Sequence, residues 1–126
     1  MTDEQEMFRY DMVRAALRAQ LAVAIRGRDS VGVAALRSAL SALDNATAVP
    51  VGQPTATMAI AGLGATEVPR RELTGEETDR IMAGEIADRR AQAEAFDAAH
   101  REAEGAVARY QADLLQRVIA DHNQPD

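Results

Sequence analysis

From Thr74 to Asp121 the chain runs without a proline, and nothing in that stretch forbids helix. As one helix it would be roughly 70 Å long at 1.5 Å per residue. The helices that the preceding sequence predicts are barely half that length, so half of its apolar stripe would face water. Two solutions exist. A break near His100–Gly105 folds the last part back on the first, or a homodimer buries the overhang. The fold-back is the expectation, and it defines an all-α antiparallel helical bundle of three to four helices.

The other helices are read from spacing and caps. Tyr10, Val13, Leu17, Leu21 and Ala24 share a face of a helix from about Asp3 to Arg26, and Gly27 stands where a left-handed cap is expected. A second helix starts after Asp29 or Ser30, either able to accept the free amides of its first turn. Val33, Leu36, Leu40 and Leu43 make its stripe, and the short link predicts a helical hairpin. Helix three opens at Thr74-Gly-Glu-Glu77, a capping-box pattern. Its stripe is Met82, Ile86, Ala93 and Phe96, and the last helix continues with Val107, Tyr110, Leu114 and Val118. Leu36, Leu40, Leu43, Met82, Ile86 and Phe96 are the expected core, with Val13, Leu17 and Leu21 against them.

Between helices two and three lies an insert, 47–73, with three of the four prolines and three of the eight glycines. Helix cannot persist through Pro50, Pro54 and Pro69. A structureless segment of this length is unusual in a compact domain, so Thr57–Gly62 is expected to lie against the helices. Its "GLGATE" lacks the third glycine and the preceding strand of a nucleotide loop and reads as a plain turn.

At 126 residues the chain is read as one domain, 1–126. It has no cysteine, hence no disulfide, thiolate metal site or thiol nucleophile. No apolar run reaches the roughly 18 residues of a membrane span, and the acidic start lacks the build of a signal peptide. A cytoplasmic protein without membrane contact is expected, in which "NAT" at Asn45–Thr47 means nothing as a glycosylation site. All 14 basic residues are Arg and about a fifth of the chain is Ala, which we read as coding bias. Residues 1–46 hold six Arg against six acids, and 47–126 hold eight against fourteen, for a net −6. That balance opposes non-specific binding to nucleic acid or anionic membrane without forbidding a local basic patch.

No catalytic constellation emerges, and no cofactor or metal is expected. His100 and His122 lie in no nucleophile or zincin pattern. Asp97, His100 and Glu104 would share a helix face, but di-metal bundles need such a set from two helices. Ser30, Ser38 and Ser41 have no partner base in the sequence. The sharper feature is "EIADRR". Arg89 falls at the centre of the helix-three stripe, where an apolar residue belongs, with Glu85 one turn before it in the favourable acid-then-base order. One reading packs its aliphatic stem in the core with the guanidinium at the edge, paired with Glu85 or a helix-two carbonyl, and Arg90 exposed. The other makes it an anion or partner contact shared with Arg90 and Arg37, extended by Arg14 and Arg18.

Two stretches carry a family resemblance. "RGRDSVGVAALRSALSALDNA" resembles the second helix of the GatB/YqeY family, with its Arg-Asp turn, Leu-Arg pair and terminal Asn. "RRELTGEETDRIMAGEIADRRAQAEAF" resembles that family's next signature, a Leu-Thr cap and a Glu-x-x-x-Arg-Arg helix ending in an aromatic. The match runs to about Leu115 and corresponds to the N-terminal helical subdomain. The resemblance implies a YqeY-like helical module, which elsewhere forms the tail of the B subunit of the glutamyl/aspartyl-transfer-RNA amidotransferase and helps hold transfer RNA. The chemistry there occurs in other domains, so a label of carbon–nitrogen ligase activity with glutamine as amido-N-donor would come by kinship. Candidate binding residues are Arg37, Asn45, Glu85, Arg89 and Arg90. Expected partners are the amidotransferase or another protein, with weak transfer-RNA binding at most. A helical protein-interaction or stress-related module without a nucleic-acid role is the second reading.

Overall fold

The computed structural model describes residues 3–48 and 71–123, with side chains described for 8–48 and 71–121. Four helices fill these residues: α1 (Asp3–Arg26), α2 (Ser30–Thr47), α3 (Gly75–Ala98) and α4 (Glu102–Asn123). Each touches the other three, so they form an all-α bundle. Among the described residues no helix is long and apolar enough to cross a membrane. The expected short element at Thr57–Gly62 and the "GLGATE" turn lie outside the described residues. The insert's flanks are fixed. The Arg71 amide donates to the Thr47 carbonyl at 2.8 Å, and Leu73 is buried beside them.

The long permissive run does fold back, at Ala99–Arg101. His100 takes a left-handed φ of 61°. The Arg101 amide reaches the Phe96 carbonyl at 2.8 Å and the His100 amide reaches that of Asp97 at 3.1 Å. This is a Schellman ending. The α1–α2 link repeats it: the Asp29 amide bonds the Ala24 carbonyl at 2.9 Å and the Arg28 amide that of Ile25 at 3.1 Å. The left-handed residue there is Arg28, with φ 55°, and not Gly27 as the glycine rule predicts. Gly27 is the last residue before the reversal, where ordinary backbone angles suffice.

Caps begin the helices as expected. The Asp29 carboxylate accepts from the Gly32 amide at 3.0 Å. Thr74 and Glu77 complete a capping box, with bonds of 3.0 and 3.2 Å. Arg71 pairs with Glu77 at 2.7 Å and, with the Thr74 amide, holds that carboxyl below its ordinary range.

Val13, Leu17, Leu36, Leu43, Met82 and Ile86 are buried in one core. Three expected members sit further out. Leu21 and Leu40 are half-buried against it, and Phe96 is half-buried with the Arg101 guanidinium 5.4 Å above its ring. The larger correction concerns α4. Leu114 and Val118 are buried, but Val107 is 42% and Tyr110 40% exposed. The face against α3 is instead Gly105, Ala108, Ala112, Leu115 and Ile119. Small side chains win there because the hairpin is tight. A Cβ on Gly105 would collide with the Asp97 carboxylate and meet the Ala93 carbonyl at 3.3 Å.

Candidate interaction surface

The five candidate residues separate into three places. Arg89 and Glu85 form an inner pair at the α2–α3 seam, with side chains 11% and 18% exposed. The Arg89 guanidinium donates to the Glu85 carboxylate at 2.7 Å and to the Glu85 carbonyl at 3.1 Å. From α2 the Ser38 hydroxyl donates to the same carboxylate at 3.2 Å. Ser38 therefore does meet a carboxylate, which the sequence did not reveal. That carboxylate is ion-paired with Arg89. The stem-in-core arrangement of Arg89 is the one observed, paired with Glu85 and its carbonyl rather than with a carbonyl of α2.

Arg90 is exposed, on the other side of α3. It pairs with Asp113 of α4 at 3.3 Å and borders a shallow depression with Ala83, Ile86, Ala87 and Ile119. Arg37 lines a different depression, between α1 and α2. Asn45 is exposed near the end of α2, about two turns beyond Arg37. The Asp97–His100–Glu104 face does not exist, because the helix ends at Ala98. Asp97 pairs with Arg109 and Glu104 with Arg101. Among the described residues no three His, Cys, Asp or Glu side chains are grouped to hold a metal.

What the fold does gather is the basic side of α1 and α2. Between Met12 and Leu43 there are five Arg and one acid, Asp29. Arg14, Arg18, Leu21 and Ile25 recur at helical spacing along one edge of α1, and Arg28 follows in the link. Arg14 meets Asp44 of α2 at 3.3 Å. Eleven and fourteen residues on, Ile25 and Arg28 line a shallow groove of ≈ 500 Å³ with Ala24, Asp29, Ser30, Val33, Ala34 and Arg37. These two contacts fix the α1–α2 edge as one continuous strip. Its apolar surface in the groove is Val33, half-buried, and Ile25, 51% exposed, with half-buried Leu21 and Leu40 one turn further along the same two helices. Arg18, Arg28 and Arg37 rim it, exposed and without an ion pair among the described residues.

The acid that lines the groove, Asp29, is already engaged. Tyr110 of α4 donates its hydroxyl to Asp29, and the Gly32 amide donates to the other carboxylate oxygen. The Tyr110 hydroxyl foremost, and then the amide, hold the Asp29 carboxyl below its ordinary range. The same bond, aided by slight burial, raises the Tyr110 hydroxyl. Sequence reading placed Arg14, Arg18 and Arg37 in a patch but missed Arg28, Ile25 and Leu40. The available signal was the lack of acids between Met12 and Leu43, hidden by a first-half charge that sums to zero.

Comparisons with protein-family models, with curated proteins and with solved structures found no match.

Proposed function

We propose that the chain is a non-catalytic helical module of the GatB/YqeY kind that works in the cytoplasm by contact, linked to glutamine-dependent amidation of transfer RNA through a partner. The carrying observation is the α1–α2 strip, where Arg28 and Arg37 line a partly apolar groove and Arg18 stands two turns before Ile25 on α1, none with an ion pair among the described residues. Carbon–nitrogen ligase chemistry, with glutamine as donor, belongs in this reading to the partner enzyme.

Protein contact is favoured over direct transfer-RNA binding. Phosphate neutralisation by three arginines gives a slope of only about −2 to −3 in log affinity against log salt. The net charge of −6 works against it. No aromatic side chain lines the groove to stack on a base. The same acidic balance supports the second reading, a protein-interaction or stress-related module without nucleic acid.

A pull-down from native cytoplasm, scored for transfer RNA, amidotransferase subunits and other proteins, tests the proposal. Capture of amidotransferase supports it, and capture of unrelated proteins alone favours the second reading. Transfer-RNA anisotropy across a salt series completes the test. Sub-micromolar affinity near about 150 mM salt, abolished by Arg18→Glu with Arg37→Glu, would replace protein contact with direct RNA binding.

A further inference from the structure

We propose that the α1–α2 groove receives an acidic amphipathic helix of a protein partner, an inference that rests on the chain being a contact module. The shape of the strip sets the ligand. Arg28 of the α1–α2 link and Arg37 of α2 line the groove, and Arg18 lies two turns before Ile25 on the same face of α1, so positive charge borders the apolar surface on more than one side. A ligand matching it carries an apolar stripe with carboxylates on both flanks.

Length follows from the rise of the helix. Arg18 and Ile25 are seven residues apart, about 10 Å along the axis, and Arg28 lies in the link just beyond the helix end, so an incoming helix spans the strip in about two to three turns. At the far end Arg14 and Asp44 pair across the strip, closing it and showing how a carboxylate is held there. At the near end the Asp29 carboxylate is held by Gly32 and Tyr110 and makes no ion pair with the rim arginines, which outnumber it.

The apolar floor is what separates this occupant from a polyanion. A phosphate backbone satisfies arginines but gains nothing from Ile25, which is 51% exposed. A helix with leucines at i, i+4, i+7 and i+11 covers that surface while its glutamates meet the rim. Burying apolar area supplies affinity, and the charges supply orientation and choice of partner.

The probe is a fluorescein-labelled helical peptide of about 15 residues with that leucine stripe flanked by glutamates. One control keeps the stripe with lysine flanks, and another keeps the glutamates with the leucines scrambled. The full chain is titrated by anisotropy. The glutamate-flanked peptide is expected to bind at least about tenfold more tightly than either control. Arg18→Glu with Arg37→Glu, and separately Ile25→Glu, are each expected to weaken it by about tenfold. All three positions are exposed, and unchanged circular dichroism confirms the fold of each variant. Equal binding of the scrambled peptide, or of the lysine-flanked one, overturns the proposal. So does transfer RNA displacing the probe more effectively than the unlabelled acidic peptide. If the peptide binds as expected but no amidotransferase is captured from cytoplasm, the groove stands and the link to amidation falls. If amidotransferase is captured equally by the Arg18→Glu, Arg37→Glu variant, the groove falls and the link stands.

Discussion

Replacing Arg89 with Met tests why an always-charged side chain occupies the middle of an apolar stripe. The native guanidinium bonds the Glu85 carboxylate at 2.7 Å and, from the same nitrogen, more weakly the Glu85 carbonyl at 3.1 Å; losing the carboxylate bond, the larger of the two, costs about 1.5–3 kcal/mol. Against this stands its Nε, buried and without a partner among the described residues, a defect worth about 1–3 kcal/mol. Met keeps most of the stem's packing, so the two terms offset and Arg89→Met should change stability by less than about 1 kcal/mol. At this chain length that is within about 3–5 °C of the native Tm. Glu85 retains its Ser38 bond and 18% exposure, which soften the loss of its partner. Adding Glu85→Leu should then stabilise by about 1–2 kcal/mol over the single variant, because an apolar pair avoids the desolvation of an ionic one. Urea titrations of the native protein, both singles and the double close a cycle that isolates the pair. A loss above about 2 kcal/mol for Arg89→Met, with no recovery in the double, would refute the reasoning and make the pair a net stabiliser.

Other expectations follow from packing, backbone and pH. Gly84 is exposed inside α3 and a Cβ there meets nothing within 4 Å, so Gly84→Ala should stabilise by about 0.5–1 kcal/mol in denaturant titration. His100→Gly should raise stability by about 1 kcal/mol in the same assay by relieving its left-handed φ of 61°. Leu43, fully buried, should cost about 2–5 kcal/mol on mutation to Ala, and half-buried Leu40 clearly less; equal losses would misplace the inner face of α2. The depressed Asp29 carboxyl contributes stability that is fully present above about pH 4 and is lost as pH falls through its folded value. The raised Tyr110 hydroxyl contributes stability present below about pH 10 and lost as pH rises through its folded value. Tyr110→Phe should flatten both arms of a Tm-against-pH profile.

The features legible in the sequence are those whose physics is local. Thr74 and Glu77 are three residues apart and cap each other, so a capping box can be read directly. Glu85 and Arg89 are one turn apart and meet whatever the tertiary fold does. Leu36, Leu43, Met82 and Ile86 are large, and any bundle buries them. Legibility failed where one helix had to be known against another. Val107 and Tyr110 are more apolar than Ala108 and Ala112, so a stripe chosen by hydrophobicity selects them. The backbone separation set by the α3–α4 hairpin admits only the smaller pair. Arg37 and Arg90 belong to different surfaces for the same reason, since only the packing shows that α2 and α3 turn those residues apart.

The two hairpins have one construction, and it explains both the fold-back and the surface. Gly27–Asp29 and Ala99–Arg101 are three-residue links with a non-glycine residue in the left-handed region at the middle position. A left-handed residue ends a helix and turns the chain back on it, so helices of 24 and 18 residues, and of 24 and 22, lie side by side without a long overhang. The burial for which an overhang dimer was invoked is thereby supplied within one chain. Glycine would reach this conformation without the steric cost that Arg28 and His100 bear. His100 is exposed at the turn and Asp97 and Glu104 near it are paired with arginines, so its cost is offset by the packing of α3 on α4 alone. Arg28 differs. Its left-handed backbone carries the guanidinium to the rim of the α1–α2 groove, opposite Arg37, where the described residues offer it no carboxylate. Packing of helix on helix offsets the backbone cost at both turns, but only at Arg28 does the turn leave a cation on the groove that the proposed contact would use.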